Sequence, residues 1–283
     1  MSVQQRNNVN LMGANLMGAN SPAANDKPTL VFAHGFGCDQ NMWRFVVPAF
    51  AADYRILMFD LVGAGLSDAS AYDRVKYASL QGYACDLLEI LDEYVEGPAI
   101  FVGHSVAAII GLLADLQAPE RFAAHVMIGA SPCYLNQPGY VGGFEADDIQ
   151  SLLQTLESNY LGWSSTVAPM LMGAPDRPEL GAELAMSFSR TDPQIAKHFA
   201  AVTYTCDHRA DVARVTTPVL ILQCSDDMVV PQEVGRYLQA NMANATLRVI
   251  DNIGHLPHVS SPNTCIQAIS EYLPTLLRPA HAD

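Results

Sequence analysis

Four short segments of this sequence carry residue types that can do acyl-transfer chemistry. The first is Gly103-His104-Ser105-Val106-Ala107, which follows the apolar run 99–102 and opens a helix-like run over 106–117. A serine at a sharp strand-to-helix turn is lifted above the sheet edge. The helix N-terminus behind it offers free N–H groups to a developing oxyanion. Ala107 stands where the usual G-x-S-x-G pattern has its last glycine, and a methyl group is the smallest intrusion there. Taken alone, the pentapeptide also fits an ordinary strand-to-helix turn with an N-cap serine, the less favoured reading. The second and third segments are Cys224-Ser225-Asp226-Asp227, after the run 219–223, and Asn252-Ile253-Gly254-His255, after the run 247–250. Both lie just past the carboxyl ends of expected strands, where parallel α/β sheets place their ligands. The order serine, acid, histidine suits a nucleophile Ser105, a general base His255 and an acid that orients the imidazole. The acid is Asp226 or Asp227. Asp227 is preferred, which leaves Asp226 as a turn former. The fourth segment is His34-Gly35-Phe36-Gly37. Acyl transfer needs two backbone donors aimed at the oxyanion, and the N–H groups of Phe36 and Val106 are the candidates.

These segments need elements to hold them. The run at 29–33 reads as a buried strand, and those at 54–59, 99–102, 123–128, 219–223 and 247–250 read as further short strands. Helical spacing is expected over 42–50, 77–94, 106–117, 232–242 and 263–277. Alternation of this kind predicts an α/β fold, with a mostly parallel twisted sheet covered by helices on both faces. It pauses between 135 and 205. There, helix-like pieces at 144–160, 161–172, 179–188 and 193–205 are separated by Gly and Pro. We therefore expect a core formed by 1–134 and 206–283, with 135–205 as a helical lid.

Bulk properties narrow the function. The 283 residues are 50% hydrophobic and 16% charged, which suits a compact core. A net charge of -14 argues against nucleic acid and anionic membrane partners. The six cysteines form no C-x-x-C pair, so the expectation is buried, reduced thiols in a cytoplasmic protein, without a disulfide framework. His125, His198, His208 and His258 show no metal-ligand spacing, so no metal or cofactor is expected. Gly63-Ala64-Gly65 lacks the third glycine of a dinucleotide loop and reads as a tight turn. His104, beside the nucleophile, reads as structural. No signal peptide or membrane span is apparent. The pentapeptide LMGAN occurs in tandem at 11–15 and 16–20, a single duplication that reads as a lengthened turn.

Read together, further segments extend these motifs into a family pattern. They are 34–43, 60–68, 103–106, 131–136, 142–145, 207–209 and 254–257. In these the chain resembles the RsbQ-like branch of the α/β-hydrolases, bacterial stress-response regulators related to the plant karrikin and strigolactone receptor hydrolases. The resemblance runs from about Gln5 to Leu277. It implies an α/β-hydrolase core with a V-shaped four-helix lid over an apolar pocket. It implies the triad Ser105, Asp227 and His255, because the family's acid stands four residues before a proline, here Pro231. It implies Phe36 and Val106 as oxyanion donors, and Phe36, Tyr134, Phe144, Trp163, Phe188, Tyr204 and Leu256 as pocket walls. The duplicated pentapeptide would lengthen the first hairpin and leave the site alone. The activity implied is cleavage of a small apolar ester or lactone, as a signal-perceiving hydrolase acting with a sensory phosphatase or other regulatory partner. The same chemistry suits a catabolic carboxylesterase or lactonase without a partner, or a receptor with negligible turnover.

Overall fold

The computed structural model describes residues 1–13 and 27–276. A short helix α1 (Val3–Asn7) leads into β1 (Asn10–Gly13). The sheet continues with β2 (Thr29–Ala33), β3 (Arg55–Phe59), β4 (Ala99–His104), β5 (Phe122–Ile128), β6 (Val219–Asp226) and β7 (Ala245–Ile253). Its order is β1-β3-β2-β4-β5-β6-β7. β1 runs antiparallel to β3, and every other pairing is parallel. The helices are α2 (Gln81–Tyr94), α3 (Val106–Asp115), α4 (Ala146–Met172), α5 (Pro178–Arg190), α6 (Pro193–Thr205), α7 (Arg209–Val212), α8 (Gln232–Asn241), α9 (Pro257–Ser260) and α10 (Pro262–Leu276).

The near-continuous apolar strands follow from burial on both faces. On β2, Val31 and Ala33 join one core with Leu87, Ile109 and Leu238 of α2, α3 and α8. Leu30 and Phe32 point the other way, to Trp43, Val46 and Ile269. A third apolar cluster lies between the core and α4–α6, where Leu184, Phe188 and Ala200 meet Cys38, Met42 and Leu256.

Several elements differ from the sequence expectation. The helix expected over 42–50 is two short 3₁₀ turns, Gln40–Trp43 and Val47–Ala49, with Pro48 in the second. Proline has no N–H to continue a ladder. The helix expected over 77–94 begins only at Gln81; Tyr77 instead folds back to donate its hydroxyl to Asp86 at 2.7 Å. The pieces at 144–160 and 161–172 run on as α4, broken at Asn159 (φ -152°, ψ 68°). Asn159 Oδ1 accepts the Gly162 N–H at 3.0 Å and so caps the second half. The start of the first LMGAN copy lies in β1; the rest of the tandem, and with it the lengthened hairpin, falls outside the described residues. All six thiols are free, but Cys85 is exposed and Cys206 half-buried, so not all are core residues. Among the described residues, no helix is long and apolar enough to cross a membrane.

Candidate active site

β4 and α3 meet at Ser105 with no loop between them. The turn holds Ser105 at φ 56°, ψ -126°, a left-handed backbone that a non-glycine residue adopts only under constraint. The constraint is visible. The Ser105 N–H donates to the Ile128 carbonyl at 2.8 Å, tying the elbow to β5. A Cβ on Gly103 would fall 2.7 Å from the Ala108 backbone, so only glycine lets α3 return this close to its strand. Ala107 is fully buried in the apolar core and takes the place of the second glycine without opening the turn.

Past the ends of β6 and β7 the chain brings two more groups to Ser105. The Gly254 N–H donates to the Asp226 carbonyl at 2.8 Å, and the His255 N–H donates to Leu171 O of α4 at 2.7 Å. The His255 ring lies with Nε2 2.9 Å from Ser105 Oγ and Nδ1 2.7 Å from Asp227 Oδ2. Asp227 Oδ1 accepts the N–H groups of Val229 (2.9 Å) and Val230 (3.2 Å), which leaves Oδ2 for the imidazole. The Asp227 side chain is fully buried, whereas Asp226 is exposed. Of the two neighbouring acids, the structure brings only Asp227 to the histidine.

His104 adds a contact that sequence reasoning left as merely structural. Its Nε2–H donates to the His255 carbonyl at 2.9 Å, so the residue before Ser105 also holds the backbone of His255. Burial, and then the neighbouring His258 and His255, hold the His104 pKa well below its usual range, so it stays neutral.

The early loop lies against the elbow. A Cβ on Gly35 would stand 2.6 Å from His104 Nδ1 and 3.1 Å from Ser105 Cβ. This close approach brings Phe36 near Ser105, and the two border one cavity. Val106 is the first residue of α3, where an N–H has no acceptor inside the helix.

That cavity is about 30 Å³, room for roughly two water molecules. Of the expected wall residues, Phe36, Tyr134, Trp163, Phe188, Tyr204 and Leu256 border it. Phe144 does not. It stands behind Tyr204 with its ring edge-on at 5.8 Å, because Tyr204 already fills the place between it and Tyr134. Leu171, Leu184, Thr203 and Val229 also border the cavity and lie in no motif of the sequence; Cys38, within the segment 34–43, borders it too and was not expected as a wall. Tyr134 OH lies 3.5 Å from Ser105 Oγ. A separate groove of about 640 Å³, bordered by Leu135, Ile149 and Leu153, shares Tyr204 as its wall with the cavity.

His258 is wholly buried between the rings of Trp43 (4.5 Å) and His104 (4.4 Å), with no hydrogen-bond partner on either nitrogen. Burial chiefly, then His255 and Arg44, push its pKa from 6.5 down to about 3. The folded chain keeps it neutral while the unfolded chain takes up a proton below about pH 6.5. Stability must therefore fall as pH drops below that value, by up to about 1.4 kcal/mol per pH unit from this residue. We expect the urea midpoint to fall between pH 7 and pH 5.5, and His258→Met to lessen that fall. An equal fall in both proteins would remove His258 as its source.

Comparison with known proteins matches residues 30–268 to the alpha/beta hydrolase family. The chain is 36% identical over 286 residues to the Karrikin insensitive 2 receptor CA of Petunia hybrida, covering 99% of this chain and 98% of that protein. It is 35% identical over 246 residues to the Strigolactone esterase D14 of Arabidopsis thaliana, covering 87% of this chain and 92% of that protein. Among solved structures, a hydrolase from Oleispira antarctica has a TM-score of 0.89 at 38% identity and covers 96% of each chain.

Proposed function

The chain belongs to the alpha/beta hydrolase family, and from that premise we propose that it hydrolyses a small ester or lactone, with Ser105 as nucleophile, His255 as general base and Asp227 as the orienting acid. The observation that carries this reading is the unbroken hydrogen-bond chain from Asp227 through His255 to Ser105, at 2.7 and 2.9 Å. Ser105 Oγ attacks the carbonyl carbon while His255 Nε2 takes its proton. The N–H groups of Phe36 and Val106 hold the oxyanion. His255 then protonates the leaving oxygen, the acyl group stays on Ser105, and a water activated by His255 releases the acid. Asp227 keeps the Nδ1–H tautomer and stabilises the imidazolium. In this reading residues 135–205 are a lid over a core made of the remaining chain.

The finer proposal is an RsbQ-like signal-perceiving hydrolase that acts with a regulatory partner protein. The full-length similarity to a protein named as a receptor supports it, and so does the confined cavity, which favours one small ligand over many. The competing reading, a catabolic esterase without a partner, draws support from the similarity to a protein named as an esterase. Turnover separates the two. A kcat in the ordinary enzyme range of about 1–10³ per second favours the catabolic enzyme, and a far slower one favours perception.

Cavity size gives a direct test of the site. Phe188 is fully buried, edge-on to Trp163 at 5.3 Å and 5.8 Å from the Phe36 ring. We expect p-nitrophenyl acetate to be cleaved with a kcat/KM about 10-fold or more above that for the butyrate, and Phe188→Leu to bring the ratio toward one. No cleavage of either ester would count against the hydrolase reading. A preference unchanged in the variant would remove Phe188 from the acyl pocket.

A further inference from the structure

α6 turns four buried residues toward the interior: Ala196, Phe199, Ala200 and Thr203. Thr203 is the polar member of this face and lies one turn beyond Phe199, whose ring packs 5.7 Å from Phe36. Threonines inside helices usually return their hydroxyl to the carbonyl four residues back. Thr155, Thr166 and Thr205 do so here, to Ser151, Gly162 and Ala201 at 2.8, 3.0 and 2.7 Å. Thr203 does not. Its residue is 2% exposed, its Oγ1 is buried without any hydrogen-bond partner, and its side chain borders the cavity that holds Ser105. A buried hydroxyl left without a partner is costly, and that cost is recovered when a ligand supplies one.

We infer that Thr203 is a specificity-determining residue: its hydroxyl takes a hydrogen bond from, or gives one to, a second oxygen of the substrate, a hydroxyl or a carbonyl apart from the scissile one. The assignment rests on the proposed ester-hydrolase reading and narrows it, from any small apolar ester to a small oxygenated ester or lactone. The geometry suits this. Ser105 and Thr203 border one cavity, so an ester that widens it to reach Ser105 also meets Thr203. Leu171, Leu184, Phe188, Val229 and Leu256 make much of the remaining wall apolar. A substrate oxygen placed elsewhere along these side chains would be desolvated without compensation.

The test uses ethyl butanoate and its 2-hydroxy, 3-hydroxy and 3-oxo derivatives with the native chain, Thr203→Val and Thr203→Ser. Valine keeps the shape and removes the hydroxyl. The expected result is a kcat/KM for at least one oxygenated ester roughly 10- to 100-fold above that for ethyl butanoate. This ratio should collapse to about one in Thr203→Val and persist in Thr203→Ser. A native ratio near one, or a ratio that Thr203→Val leaves unchanged, overturns the assignment. If the native chain hydrolyses none of the four, the ester-hydrolase reading fails separately. Thr203 is then decided by calorimetric Kd values for the same esters on Ser105→Ala and Ser105→Ala/Thr203→Val. The same collapse of the ratio supports it, whereas an unchanged ratio or no binding overturns it.

Discussion

Ser105→Ala is expected to lower kcat for p-nitrophenyl acetate by on the order of 10⁶, to near the rate left by the oxyanion donors and binding alone. The fold should hardly notice. The change removes one oxygen and its contacts with His255 Nε2 and Tyr134 OH, and it keeps the Cβ that the φ of 56° already accommodates. The elbow itself is fixed by the Ser105 N–H to Ile128 O bond and by the packing of Gly103 on Ala108, neither of which involves the hydroxyl. The thermal midpoint should therefore stay within a few degrees of native. Another nucleophile in the same cavity deserves exclusion, and Cys38 borders it. Burial, assisted by Asp39, raises the Cys38 thiol far above its usual pKa, so it stays protonated and weakly nucleophilic. A Ser105→Ala protein that keeps native activity would sink the triad, and loss in Cys38→Ala instead would identify the thiol.

Asp227→Asn should cost about 10³–10⁴ in kcat, with KM little changed, whereas Asp226→Asn should cost less than about threefold. The asymmetry comes from the hydrogen bonds. An asparagine can still accept the Val229 and Val230 N–H groups through Oδ1. It then presents its NH₂ to His255 Nδ1. That favours the tautomer with the proton on Nε2, which cannot accept the proton of Ser105. Binding of the ester is untouched, so the loss belongs in kcat. Asp226 makes its contact through its carbonyl, to the Gly254 N–H, and its side chain is exposed, so amidation leaves the connection between the two loops intact. Equal losses in the two variants, or the larger loss in Asp226→Asn, would reassign the acid.

The tertiary structure explains why Asp227, preferred in the sequence and implied by its spacing before Pro231, reaches His255 and Asp226 does not. Both follow the same buried strand, and either can form a turn. Asp226 is the last residue of β6 and pairs with Ile253, so its backbone is committed to the sheet. Asp227 is the first residue free to turn toward β7, and its burial beside His255 follows from that register.

By itself, the sequence determined what is local. Apolar runs bounded by turns marked the inner strands, as at Thr29–Ala33, because burial on both sheet faces writes a continuous signal into five or six letters. The glycines around Ser105 and the order of serine, acid and histidine were legible for the same reason: each satisfies a steric need within a few residues. The cavity was not legible. Its walls come from α4, α5, α6 and loops far apart in the chain, and which side chain stands in front depends on packing between them. Phe144 lost its place to Tyr204 in this way. Thr203 became notable only when the structure left its hydroxyl without the helix carbonyl that Thr205 takes. A residue's type and spacing state what chemistry it can offer. Only the assembled interior decides whether that offer is already taken.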